Sequence, residues 1–136
     1  MRTKLGLLFL LAVPAAAAAQ GTEAISCHPP HQVSRVMDGH AKTPTQGWRT
    51  SADLSRMHAD RFESASFVRS NVDPSSPDKI YCYYLSPLGE VPFIQIKDVP
   101  RGTCEATGWD VDQNNWAQIA WTTTDLDKAK LTCRAS

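Results

Sequence analysis

The chain has 136 residues, with 14 Lys and Arg against 14 Asp and Glu and four histidines. This balance excludes the basic excess of a nucleic-acid binder and the polybasic patch of a membrane-surface protein. The length suits one domain with a real but modest core.

Residues 1–19 have the three parts of a secretory signal peptide. Arg2 and Lys4 form the basic start, and Leu5 to Ala18 form the apolar stretch. Ala17-Ala18-Ala19 supply the small residues for cleavage before Gln20. A membrane span needs roughly 20 apolar residues, so the segment reads as a cleaved signal rather than an anchor. No cysteine follows it directly to carry a lipid, and no later segment is long or apolar enough to span a bilayer. The expected mature chain, residues 20–136, is a single domain with twelve basic and fourteen acidic residues. His28, His31, His40 and His58 outnumber that excess, so its surface charge is expected to reverse in mild acid.

Residues 20–27 read as a polar lead-in. Two prolines in Cys27-His28-Pro29-Pro30-His31 favour extended backbone. Gln32 to Met37 suggests a short strand or turn, and Asp38 to Gly47 a loop. Thr50 and Asp53 fit a capping box. Leu54, His58 and Phe62 then share one face, which predicts a helix over 51–61. Phe62 to Arg69, Lys79 to Ser86 and Val91 to Asp98 are rich in β-prone residues and read as an antiparallel meander against that helix. The stretch from Asn71 to Asp78 is a turn, and Pro87 to Glu90 a hairpin connection. Gly108 to Asn115 is polar and turn-rich, Trp116 to Thr124 has strand propensity, and Leu126 to Leu131 suits one helical turn or a last strand. The expected fold is α+β: a small antiparallel sheet of three to five strands, one helix on one face, and two disulfides.

Cys27, Cys82, Cys104 and Cys133 all follow the signal, which points to an oxidising compartment, periplasmic or secreted. A redox site needs Cys-x-x-Cys, which is absent. Zinc favours cysteines in close pairs, and the nearest two are 22 apart. The four thiols are therefore expected to form structural bridges. The preferred pairing is Cys27–Cys82 with Cys104–Cys133; Cys82–Cys104 with Cys27–Cys133 is the alternative.

Other chemistry is thin. Cys27-His28-Pro29-Pro30-His31 lacks the second cysteine of a haem-attachment motif, and its prolines give the two rings no reason to converge on a metal. Asp110 and Asp112 open a stretch resembling a calcium loop, but the sixth position is Asn115 rather than Gly and the twelfth is Trp121 rather than Glu. No Gly-x-Ser-x-Gly elbow and no carboxylate pair occurs. A binding role is therefore expected over catalysis, with no cofactor and no metal.

Aromatic residues carry the surface expectation. Trp116 and Trp121, five apart, cannot share one flat platform on a regular element. If Cys82 turns inward to its bridge, Tyr81 and Tyr83 face the other way as a pair. Those tyrosines and the loop holding Trp109, Asp110 and Asp112 are the expected contact residues.

Several short motifs run through the chain in order: Cys27-His28-Pro29, Gly47-Trp48, Phe62-Glu63-Ser64-Ala65, Cys82-Tyr83-Tyr84, Trp116 or Trp121, and Cys133. This order resembles a family of small exported bacterial proteins that form a domain of unknown function, with His28 interrupting the family's Cys-Pro start. The resemblance implies an envelope location and an α+β domain, and it assigns no activity. The expectation is an exported protein, monomeric or weakly dimeric, that binds a protein partner as an accessory, inhibitor or immunity-type factor. The alternatives are a small hydrolase with His28, His31 or His58 as base, and a glycan- or ligand-binding module using Trp109 and Trp116.

Overall fold

The structure, a computed structural model, describes residues 21–36, 47–50, 59–85 and 92–135. The signal-like segment, His40, His58, most of the expected 51–61 helix and the 87–90 connection lie outside the described residues. Residues 59 and 60 are not helical, and Arg61 already begins a strand.

The described elements run β1 (Thr22–Ser26), α1 (Pro30–Val36), β2 (Trp48–Thr50), β3 (Arg61–Ser70), β4 (Asp78–Leu85), β5 (Pro92–Val99), β6 (Cys104–Glu105), β7 (Asp110–Asn114), β8 (Gln118–Thr123), a single 3-10 turn (Leu126–Lys128) and β9 (Lys130–Arg134). They form two antiparallel sheets. The large sheet has the order β2-β5-β4-β3-β8-β7, and the small one the order β1-β9-β6. Expecting α+β with one small sheet and one packed helix is therefore wrong. The molecule is mostly β, and its one described α-helix is short.

Each difference has a local cause. The lead-in becomes β1 because it pairs with the end of the chain, Thr22 opposite Arg134 through Ser26 opposite Lys130. The polar 108–115 stretch becomes β7 because its backbone completes the large sheet beside β8. All five β7 residues are exposed, so no apolar alternation marks them. Gln32 to Met37 was expected to be extended or turned, but Pro30 occupies the first helical position, where its missing N–H costs nothing. Val33, fully buried, anchors that helix.

The β3-β4-β5 meander exists, and β4 shows why it is legible. Its residues alternate strictly between buried and half-buried from Asp78 to Leu85, the period of a strand with one face in the core. Phe67, Ile80, Cys82, Tyr84 and Val99 of the large sheet share one core with Cys104, Leu131 and Cys133 of the small sheet. The small sheet thus covers the inner face of the large one. Cys27–Cys82 ties the end of β1 to β4, and Cys104–Cys133 links directly opposed residues of β6 and β9. The bridges span 55 and 29 residues, and each contributes about 4 kcal/mol on the loop-entropy account.

Candidate functional site

The outer face of the large sheet follows from the register. With Cys82 bridged inward, Tyr81 and Tyr83 project outward. Tyr81 lies between Ser66 on β3 and Ile96 on β5, and Tyr83 between Ser64 and Ile94. The two rings stack with centroids 6.3 Å apart and planes inclined by 17°. Both are half-buried, as are Ile94 and Ile96. Burial raises the Tyr83 hydroxyl above the usual tyrosine range, partly offset by its hydrogen bond with Ser66. On the β2 side, Arg49 meets Asp98 at 3.1 Å across the β2–β5 pair. The resulting surface has an aromatic and aliphatic centre beside the Arg49–Asp98 ion pair.

The other expected contact residues are dispersed. Trp109 is 7 % exposed, and its Nε1 donates to the Lys128 carbonyl at 2.6 Å. Its ring serves the core and leaves little area for contact. Asp110 and Asp112 are exposed on β7, with a bulge at Asp112. Trp116, by contrast, is 83 % exposed at the tip of the β7–β8 hairpin. That tip is braced: the Asn115 carboxamide oxygen accepts from the Ala117 and Gln118 amides, and the Asn71 side chain donates to the Asn115 carbonyl. Val72, on the neighbouring turn, is also well exposed. A paired Trp109–Trp116 platform is thus not formed, while Trp121 lies inward, stacked on Phe67 with Arg69 over its ring. Sequence spacing separates Trp116 from Trp121 but carries no signal for which of the two is exposed.

The two described histidines, His28 and His31, lie in different surroundings. His31 is exposed on α1. His28 is half-buried, with its ring edge-on to Trp48 at 5.2 Å. It borders a cavity of about 210 Å³ together with Glu23, Ile25, Trp48 and Lys97. Gly47, at φ 81°, turns the chain into Trp48; a Cβ there would sit 3.3 Å from Lys97 Nζ. Burial lowers the His28 pKa, the neighbouring Gln95 opposes that in part, and Lys97 adds to it. His28 Nδ1 and the fully buried Gln95 amide form no hydrogen bond of good geometry. Among the described residues, no group of three His, Cys, Asp or Glu is placed to hold a metal, and no helix is long and apolar enough to cross a membrane.

Asp78 and Arg69 form an ion pair whose carboxylate is fully buried and whose guanidinium is partly exposed. The fully buried Asp78 carboxylate accepts from Arg69 Nε and Nη2 at 2.9–3.1 Å and from the Gly102 amide at 2.9 Å. Gly102 adopts φ 78°, which brings its amide inward. This group fixes the 100–103 turn against the large sheet and is structural.

Comparison with family models, with curated proteins and with solved structures finds no match.

Proposed function

We propose that this is an exported, non-enzymatic protein that binds a protein partner through the outer face of its large sheet, as an accessory, inhibitor or immunity-type factor. The observation that carries this reading is the stacked, half-buried Tyr81–Tyr83 pair beside Ile96 and Ile94 of β5. Tyrosine supplies large contact area with few rotatable bonds, and such residues concentrate binding energy. The fully paired cysteines and the signal-like start support an oxidising location outside the cytoplasm.

Site-specific photocross-linking in the producing cell tests the site. A benzophenone side chain in place of Tyr81 or Tyr83 is expected to give a discrete protein adduct, and one in place of exposed Asp127 is not. Adducts at Asp127 equal to those at Tyr81, or none at either tyrosine, would reject the face.

A further inference from the structure

We propose that β1 is a self-association edge, through which two copies of the chain join their small sheets across a two-fold axis.

Among the described residues the two sheets have four edges, and three of them are blunted. β2 has three residues and β6 only two. β7 carries a bulge together with Asp110 and Asp112. Short strands, bulges and charges are the devices that keep sheet edges from pairing. β1 differs: it has five residues, no proline, no lysine or arginine and no bulge against β9. Thr22, Glu23, Ala24 and Ser26 are all exposed.

Hydrogen bonds show which backbone groups are available. The Cys27 amide donates to the Ala129 carbonyl, and the Ala135 amide donates to the Gly21 carbonyl. Residues 21, 23, 25 and 27 therefore turn their backbone groups towards β9. By the alternation of an antiparallel ladder, Thr22, Ala24 and Ser26 turn theirs away. Those amides and carbonyls have no strand partner among the described residues.

A second β1 fits this edge in one symmetric register. With the axis at Ala24, Ala24 faces its own copy and Thr22 faces Ser26. The hydrogen-bonded pairs then use the outward groups of all three residues. Their side chains are small and lie on the exposed side of the sheet, so the seam is uncrowded. Glu23, the only charge on β1, falls opposite Ile25 and only diagonal to its own copy, which avoids a direct like-charge pair. Glu23, Ala24, Ile25 and Ser26 border the 210 Å³ cavity with Trp48 and Lys97, and Thr22, Glu23 and Ile25 border a second one of about 610 Å³ that reaches Val99 and the Cys104–Cys133 bridge.

A five-residue seam buries less than the roughly 1,200–2,000 Å² of a stable interface. The dimer is accordingly weak and transient. This association is independent of the tyrosine face.

Sedimentation velocity of the protein as exported by its host, from about 20 µM to about 1 mM, tests it. The wild type is expected to shift from monomer towards dimer over this range. Ala24→Lys, which sets two cations face to face, is expected to weaken association at least tenfold. An equimolar mixture of Ala24→Lys with Ala24→Glu is expected to restore it. Ala24→Pro removes an amide that β9 does not use and is expected to act like Ala24→Lys. Thermal melts of each variant confirm folding, and Tyr81→Ala is expected to associate as the wild type does. A wild type that stays monomeric at the highest concentration, or a folded Ala24→Lys that dimerises like it, overturns the proposal. So does loss of association in Tyr81→Ala with Ala24→Lys unaffected.

Discussion

Tyr84 points inward from β4, is fully buried and donates its hydroxyl proton to the His28 carbonyl at 2.6 Å. Tyr81 and Tyr83, on the opposite pleat, keep part of their rings in solvent. The same substitution therefore has different costs. Tyr84→Ala is expected to destabilise by about 3–5 kcal/mol, as for other large aromatic core residues. The Tyr81→Ala, Tyr83→Ala double variant is expected to lose only about 1 kcal/mol, a melting shift of about 4–8 °C for a domain of this size. Thermal melts of the two variants distinguish them. A loss as large as that of Tyr84→Ala would place the pair in the core and remove it as a contact site.

His28 gives the pH prediction. Burial lowers its pKa in the folded state, so the unfolded chain binds more protons just below its ordinary value of about 6.5. The stability from keeping this ring neutral is complete above pH 6.5. It declines as pH falls from there towards the folded-state pKa, and then levels off. Replacing His28 with Gln is expected to flatten this part of the melting-temperature profile. An unchanged slope between about pH 6.5 and 5 would assign it to other groups.

Among the elements, legibility tracks burial. β4 could be read because one of its faces is in the core, and the inward turn of Cys82 placed Tyr81 and Tyr83 on the other side. β7 was not legible, because a strand exposed along its whole length has no apolar period to show. β1 was not legible either. Its partner is more than a hundred residues away at the chain end, and one half-buried residue, Ile25, is its only tie to the core. Pro30 was read for its extended preference, although proline also opens helices. The Asp78 group joins β4, Arg69 of β3 and the turn at Gly102, residues with no shared motif. Asp78→Asn would leave the Arg69 guanidinium without its counter-charge. The expected cost is about 3 kcal/mol, measured by chemical denaturation, with the tyrosine face unchanged. A loss below about 1 kcal/mol would mean that solvent already screens the pair.

At the scale of the molecule, the small sheet and both disulfides lie on one side of the large sheet, which leaves the Tyr81–Tyr83 face on the other. Removing Cys27–Cys82 by paired Ala substitutions is expected to release β1 from β4 and to cost about 4 kcal/mol. The proposed binding role needs a surface rather than a pocket, so accessibility is its most direct test. The measurement is hydroxyl-radical footprinting of the isolated protein, with oxidation assigned to single residues by tandem mass spectrometry. A binding site at this face requires strong oxidation of Trp116, clear oxidation of Tyr81 and Tyr83, and protection of Tyr84, Trp48 and Trp109. Protection of Tyr81 and Tyr83 to the level of Tyr84 would contradict it.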